Sequence, residues 1–361
     1  MSGGGSIRRI ARTVARSRHQ ARERRSPLDP DGIIATTLAT DPLRAMDVGA
    51  AGGVAPQWRD FLPVMEVDCF EPDEDECAAR QRDSPANVHW FPVALAGTSG
   101  RRTFYILNRR TGSSLYPPND PVILEYSGRS YAGVHRIVEV ECKSLRDFLV
   151  EYQRPVPALM KLDTQGTELE ILSSLTPGQF EAVICVETEV EFMELYKGQP
   201  AFGDVHAFMR ERGFRLLDLR THRAYRNADD QPHHYLRKYL HTATGSAALS
   251  AELVAGDALY FRESALQPSA ESMTELIRHV CLLRLYRFYD LAFWLVERAA
   301  NERVIGPSEA VELIRDIAGN APRPTLSQRA GRAGDLARRT LWALGRDDHE
   351  VFWTRRRWPD Q

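Results

Sequence analysis

The chain has 361 residues, 43% of them hydrophobic, and a formal net charge of −2. That is enough apolar material for a substantial core, read as one large domain with an appendage or as two domains, and the charge balance gives no overall case for a nucleic-acid or strongly acidic partner. Five cysteines, Cys69, Cys77, Cys142, Cys185 and Cys281, are scattered without C-x-x-C spacing, which indicates neither a disulfide framework nor a zinc site and fits a reducing cytoplasm.

Residues 1–26 form a basic tail. Its "SIRRIARTVARSRHQARERR" has no apolar run long enough for a secretory signal. Ile7, Ile10 and Val14 fall on one side, so a mitochondrial-type presequence or an anionic-surface helix stands beside the plainer reading of a solvated tail. Next, "RAMDVGAAGG" reads as a buried strand breaking into a glycine-rich turn, and "VMEVDCFEPDEDECAARQR" as a second strand, a turn at Glu71-Pro72 and a helix. Further strands are expected at 88–96, 102–107, 136–142, 158–163, 182–187, 214–219 and 258–261. Helices fall between them at "SLRDFLVEY", capped by Ser144 with Asp147 behind it, at "TELEILSSL" and at "FGDVHAFMRERG". Strands alternating with helices imply an α/β domain over 27–263, its mostly parallel sheet covered on both faces. Two stretches, 108–135 and 220–245, are too long for simple connections and read as lids or binding loops. Residues 264–361 turn purely helical. Ser272 and Glu275 open a long helix, Pro307 starts another that stops near Gly319, and a basic, Trp-containing tail follows. No segment reaches about 18 uncharged apolar residues, since "CLLRLYRFYDLAFWLV" is interrupted by Arg284, Arg287 and Asp290.

Asp47 closes the first strand, and Gly49 and Gly53 let the backbone turn sharply beside a ligand, where a Cβ would obstruct. The pattern is D-x-G-x-x-x-G and lacks a glycine that a G-x-G-x-x-G dinucleotide fingerprint requires, which disfavours a nicotinamide oxidoreductase. An acidic residue before the turn suits a cationic amino-acid group. Glu71, at the end of the second strand, can accept hydrogen bonds from both hydroxyls of a ribose. A nucleoside with a positive, phosphate-free tail is S-adenosylmethionine. In "LMKLDTQGTELEIL" three acids compete for a role. Thr167 with Glu170 three residues on reads as a reciprocal helix cap, and Glu168 as a first-turn acid favoured by the helix dipole. Asp163 and Gln165 are left in a strand-to-helix turn, where parallel α/β sheets present groups to ligands.

The series "MDVGAAGG", "CFEPD", "TGSSL", "VECKSLRDFL", "MKLDTQGTELEIL", "CVETEVEFMELYKGQPAFGDVHAFMRERGFRLLDL" and "GDALYFR" resembles the FkbM-type S-adenosylmethionine-dependent methyltransferases over roughly residues 43–262. The resemblance implies a Rossmann-like class I methyltransferase sheet with a helical C-terminal extension outside it. It also implies that Asp47, Gly49, Ala50 and Gly53 line the cofactor loop, that Glu71 holds the ribose, and that Asp163 stands at the reacting end. It implies O-methylation of a hydroxyl on a sugar, polyketide or related metabolite. The family usually has "LD" where this chain has Leu145-Arg146 before Asp147, a departure at a helix start.

A hydroxyl is a weak nucleophile and needs a base or a cation beside it as its proton leaves. Asp163 is the first candidate, as that base or as a ligand of a divalent metal such as Mg²⁺, and Glu187 on the next strand is the second. His222, His233, His234 and His241 lie in the second long stretch with Arg220, Arg223, Arg226, Arg237 and Lys238, which could grip an anionic acceptor. The rival readings are an RNA or protein methyltransferase and a non-catalytic cofactor-binding module that assembles, as an oligomer or with a partner, through its C-terminal helices.

Overall fold

The computed structural model describes residues 28–50, 52–126, 133–226, 234–240, 250–267 and 272–319. The basic tails, with Ile7, Ile10 and Val14, and His233 and His241 lie outside them.

Among the described residues ten strands occur in chain order: β1 (Leu43–Val48), β2 (Met65–Phe70), β3 (Val88–Phe91), β4 (Ala94–Ala96), β5 (Gly100–Leu107), β6 (Val134–Ser144), β7 (Leu159–Leu162), β8 (Cys185–Glu191), β9 (Phe214–Ala224) and β10 (Glu252–Arg262). Seven build the main sheet in the order β3-β2-β1-β7-β8-β10-β9, parallel from β3 to β8, with β10 inserted antiparallel between β8 and β9. This is a Rossmann-like sheet. Its central strands are buried on both faces: β1 is buried except at Arg44 and β2 except at Glu66, with the polar Asp47 and Asp68 buried among their apolar neighbours.

One face carries Met46, Val48, Phe70, Met160, Leu162 and Val186 against Phe148, Ile171 and Met209, from the helices Leu145–Glu151, Glu168–Ser173 and Phe202–Glu211. The other carries Ala45, Val67, Cys69, Leu159, Cys185 and Leu259. It packs on helix Ile33–Leu38, the 3-10 segment Pro56–Val64 and the helices Met273–Leu285, Tyr289–Asn301 and Pro307–Gly319. The helical extension therefore buries its side chains in the same core as the sheet, and the change of pattern after 263 does not separate two cores.

Some expectations change. The run 88–96 is two strands in different sheets: Pro92 has no N–H to give a ladder, and beyond it β4 joins β6 and β5 in a three-stranded sheet. The outer hairpin is longer than expected, with 220–224 part of β9 rather than loop, because its exposed polar residues hid the strand. The stretch 108–135 holds a 3-10 turn, Arg110–Gly112, and a helix, Asp120–Tyr126. The helix opened by Ser272, whose Oγ accepts from Glu275 N at 3.2 Å, stops at Leu285, and Arg287 in the left-handed region (φ +67°) turns the chain into the next one.

Candidate active site

Register assembles the site. Asp47 on β1 lies opposite Lys161 on β7, and Lys161 opposite Glu187 on β8, so the three side chains form one row on the face shared with the helical extension. Asp47 is 1% exposed. Its Oδ2 accepts from Ala55 N at 2.7 Å, while its Oδ1 is buried without a hydrogen-bond partner. Burial, only partly offset by Lys161 and the Ala55 amide, pushes this carboxyl up from 3.8 to about 6. Lys161 Nζ lies 3.9 Å from Asp47 Oδ1 and 3.4 Å from Asp163 Oδ2. Burial pulls its ammonium down, but Asp47, Asp163 and Glu187 outweigh that and leave its pKa raised.

The glycine loop sits over this row. Gly49 has φ +86°, and a Cβ there would stand 1.9 Å from Asp163 O, so only glycine fits between β1 and the turn after β7. Gly53, at φ +93°, closes the loop by donating its N–H to Ala50 O at 2.8 Å. Glu71 follows β2 directly, one position beyond the Val48 and Phe70 pair and thus beside Gly49. Its Oε1 accepts from Asp73 N at 3.0 Å, and burial raises its carboxyl.

Asp163 follows β7, held by its N–H on Val48 O at 3.0 Å, and its side chain is 41% exposed. Gln165, at φ +61°, turns its Nε2 back to Asp163 Oδ1 at 3.0 Å and also donates to Glu189. Glu189 is hydrogen-bonded to Asp163 in turn, and burial followed by that neighbour pushes its carboxyl well above the usual range. The carboxylate beside Asp163 is thus Glu189. Glu187 is not at a strand end, because β8 runs on to Glu191. It is 4% exposed and committed: Oε2 accepts from Gln57 Nε2 and Tyr286 Oη, both at 2.8 Å, and Oε1 from Arg220 at 2.6 Å.

The other two acids exchange the roles read from sequence. Thr167 makes no side-chain cap, and Glu170 instead accepts from Arg102 at 2.7 Å. Glu168 is buried, with Oε1 accepting from Thr164 N at 2.6 Å and Thr164 Oγ1 at 2.9 Å, and Oε2 from Gly166 N at 2.9 Å. It holds the turn that presents Asp163. The segment 112–119 closes over that turn: Ser114 Oγ donates to Gln165 O at 2.6 Å, and Tyr196 Oη lies 2.8 Å from Gln165 Oε1 and 2.7 Å from Gly112 O.

The basic residues of the outer hairpin are engaged within the molecule. Arg220 binds Glu187, Arg223 binds Ala251 O at 2.9 Å, and Arg226 binds Glu125 and Glu252. His222 lies 3.2 Å from Asp257 on the exposed hairpin, and His234 opens the helix His234–Leu240. Among the described residues, no three His, Cys, Asp or Glu side chains are grouped to hold a metal ion, and no helix is long and apolar enough to cross a membrane.

Sequence reading passed over Lys161 and Glu189. The period-two alternation in "CVETEVE" puts Glu187, Glu189 and Glu191 on one face, but only the pairing of Leu162 with Thr188 shows that Glu189 is the one beside Asp163.

The sheet order is that of a Rossmann-like methyltransferase fold, with Asp47 near the end of β1, a glycine turn after that strand and Glu71 after β2. Residues 47–216 match the methyltransferase FkbM domain, which makes this segment an S-adenosylmethionine-dependent methyltransferase domain of the FkbM type. Solved structures similar to it include a precorrin-6y C5,15-methyltransferase from Geobacter metallireducens, 10% identical, with a TM-score of 0.30 over 64% of this chain and 87% of that one. A putative sarcosine dimethylglycine methyltransferase from Galdieria sulphuraria is 11% identical, with a TM-score of 0.29 over 64% of this chain and 83% of that one. The StiE O-MT segment is 8% identical, with a TM-score of 0.28 over 68% of this chain and 76% of that one. No curated protein matches the chain.

Proposed function

We propose that this methyltransferase transfers its methyl group to a hydroxyl of a sugar, polyketide or related small metabolite, with Asp163 taking the proton. The observation that carries the reading is the setting of Asp163. It is a half-exposed carboxylate with its backbone pressed against the cofactor loop at Gly49, an ammonium on one side and a protonatable carboxyl on the other.

The residues fit S-adenosylmethionine. The buried Asp47 Oδ1 has no hydrogen-bond partner and suits a cationic amino-acid group, Gly49 lets the loop press against the turn that carries Asp163, and Glu71 stands beside the loop for the ribose. The cofactor supplies a methyl group on a sulfonium sulfur, so the protein's share is placement and proton handling. With the cofactor bound, Asp163 would accept the proton of the acceptor hydroxyl as that oxygen takes the methyl group. Lys161 Nζ lies 3.4 Å from Asp163 Oδ2, and Gln165 Nε2 fixes the orientation of Oδ1. Lys161 also disfavours Mg²⁺ at Asp163, since it places an ammonium where a second cation would be repelled, and Glu187 is committed to other donors. The engaged arginines of the hairpin argue against RNA as acceptor.

The test is incubation with labelled cofactor and a fractionated metabolite extract, followed by mass spectrometry of the product. The expected product carries a methyl ether. Asp163→Asn should lower kcat by at least about 10²-fold with little change in cofactor affinity. A labelled RNA or protein, a methyl group on nitrogen, or an Asp163→Asn enzyme of parental speed would overturn the reading.

A further inference from the structure

The methyl-transfer site is not completed by the matched FkbM segment alone. Tyr286, at the C-terminal end of helix Met273–Leu285, belongs to the extension, yet its hydroxyl donates to Glu187 Oε2 at 2.8 Å and receives Trp58 Nε1 at 3.4 Å. Burial, together with Glu187, holds the phenol well above its ordinary range, so it remains a donor. Gln57 and Trp58 stand in the 3-10 segment that leaves the glycine loop. Gln57 Nε2 meets the same Glu187 oxygen at 2.8 Å, and Trp58 N donates to Ala55 O at 2.9 Å, while Ala55 N is the donor that holds Asp47. Two routes from the exit of the cofactor loop therefore meet at one hydroxyl: Asp47 to Ala55 to Trp58, and Gln57 to Glu187.

We infer that Tyr286 is a positioning residue for cofactor binding, through which the helical extension fixes the loop 49–57. This rests on the cofactor placement proposed above. Tyr286 touches no reacting atom. It acts by holding the Glu187 carboxylate and, through Trp58, the backbone at Ala55, on which the orientation of the Asp47 carboxyl depends.

Tyr286→Phe removes one oxygen and leaves the ring in place. The dissociation constant of S-adenosylmethionine, measured by calorimetric titration of the full chain, should rise about tenfold, the worth of one buried hydrogen bond to a charged group. KM for the cofactor should rise alongside it, while kcat at saturating cofactor stays near the parent's, a split that simple loss of folded protein does not produce. Tyr289→Phe, a nearby ring packed on the same core, should leave both unchanged. In the parent, hydrogen exchange should show the amides of 55–58 and of 282–288 gaining protection together when cofactor binds. The inference is overturned by parental affinity in Tyr286→Phe, by a lowered melting temperature with unchanged affinity of the folded protein, or by exchange that slows at 55–58 alone. Should the variant fail to fold, the exchange measurement decides. None of these readouts contains an acceptor, so a wrong acceptor leaves them untouched. A parent that does not bind S-adenosylmethionine refutes the cofactor site and the inference with it.

Discussion

Asp47 makes the proposed cofactor site a stability liability, and the size of that liability can be worked out. Burial lifts its carboxyl from 3.8 to about 6. At about 1.4 kcal/mol per factor of ten, holding this group ionised in the folded protein costs about 3 kcal/mol. The sign follows from the direction of the shift. The folded pKa is the higher one, so the folded state keeps a proton that the unfolded chain has already released. The contribution to stability is fully present below 3.8 and is lost as pH rises through about 6. Asp47→Asn keeps the volume, can keep an oxygen on Ala55 N, and removes the charge. It gives up the attraction to Lys161, which retains Asp163 at 3.4 Å. The cofactor-free variant should therefore be more stable than the parent by about 1–3 kcal/mol near pH 8, with the advantage vanishing near pH 4.

Urea denaturation of both proteins across that pH range measures this difference directly. Adding cofactor should then narrow the gap. A parent at a hundredfold excess over its dissociation constant gains about 2.7 kcal/mol, whereas a variant lacking the carboxylate binds at least about tenfold more weakly and gains less. A parent that is the more stable protein near pH 8 without cofactor, or a stability difference that does not change with pH, would refute the account of Asp47 as a buried, underpaired carboxylate kept for a ligand.

Gly49→Ala should cost more than the about 1–2 kcal/mol of a left-handed residue, because its Cβ would stand 1.9 Å from the Asp163 carbonyl and must push β1 and the β7 turn apart. Thermal denaturation and cofactor titration should both register the loss, and an unchanged melting temperature would show that the loop relaxes freely. Glu168→Gln should destabilise by about 1–3 kcal/mol, since its amide nitrogen must face a donor now satisfied by the carboxylate, whereas an exposed first-turn acid would cost only about 0.3–1 kcal/mol. Urea unfolding near neutral pH separates the two values, and a loss at the low end would return Glu168 to the surface.

The candidate cofactor residues stand out in the sequence because each lies at or just beyond the end of a short strand. Asp47 is the fifth residue of β1, and Glu71 and Asp163 directly follow β2 and β7. A buried parallel strand announces its own end, and an α/β sheet places its ligands there. The interior of the site was less legible, since it depends on which residues lie opposite each other. Lys161 looks like an interruption of "LMKL" until pairing sets it between Asp47 and Glu187. The helical extension shows the same limit. An apolar circumference demands burial but does not say against what, and a helix broken at Arg287 without Gly or Pro leaves no mark in the pattern.

The turn after Asp163 shows why a good local rule failed. The spacing of Thr167 and Glu170 satisfies the capping-box pattern, and a reciprocal cap would have left Glu168 free on the surface. The chain instead takes Gln165 to φ +61° and Gly166 to φ +117° before the helix begins. That path points the amides of Thr164 and Gly166 inward, where one buried carboxylate can accept from both, and Glu168 is placed to do so. Glu170 is then released to Arg102, which comes from the neighbouring three-stranded sheet. What selects this turn over the simple cap is the ring of contacts around it. Ser114 holds Gln165 O, and Tyr196 and Asp163 hold the two ends of its side-chain amide. The strained residue is thus the one joining the proposed base to the segment that closes over it, so the exception to the local rule lies where the fold serves the chemistry rather than the helix.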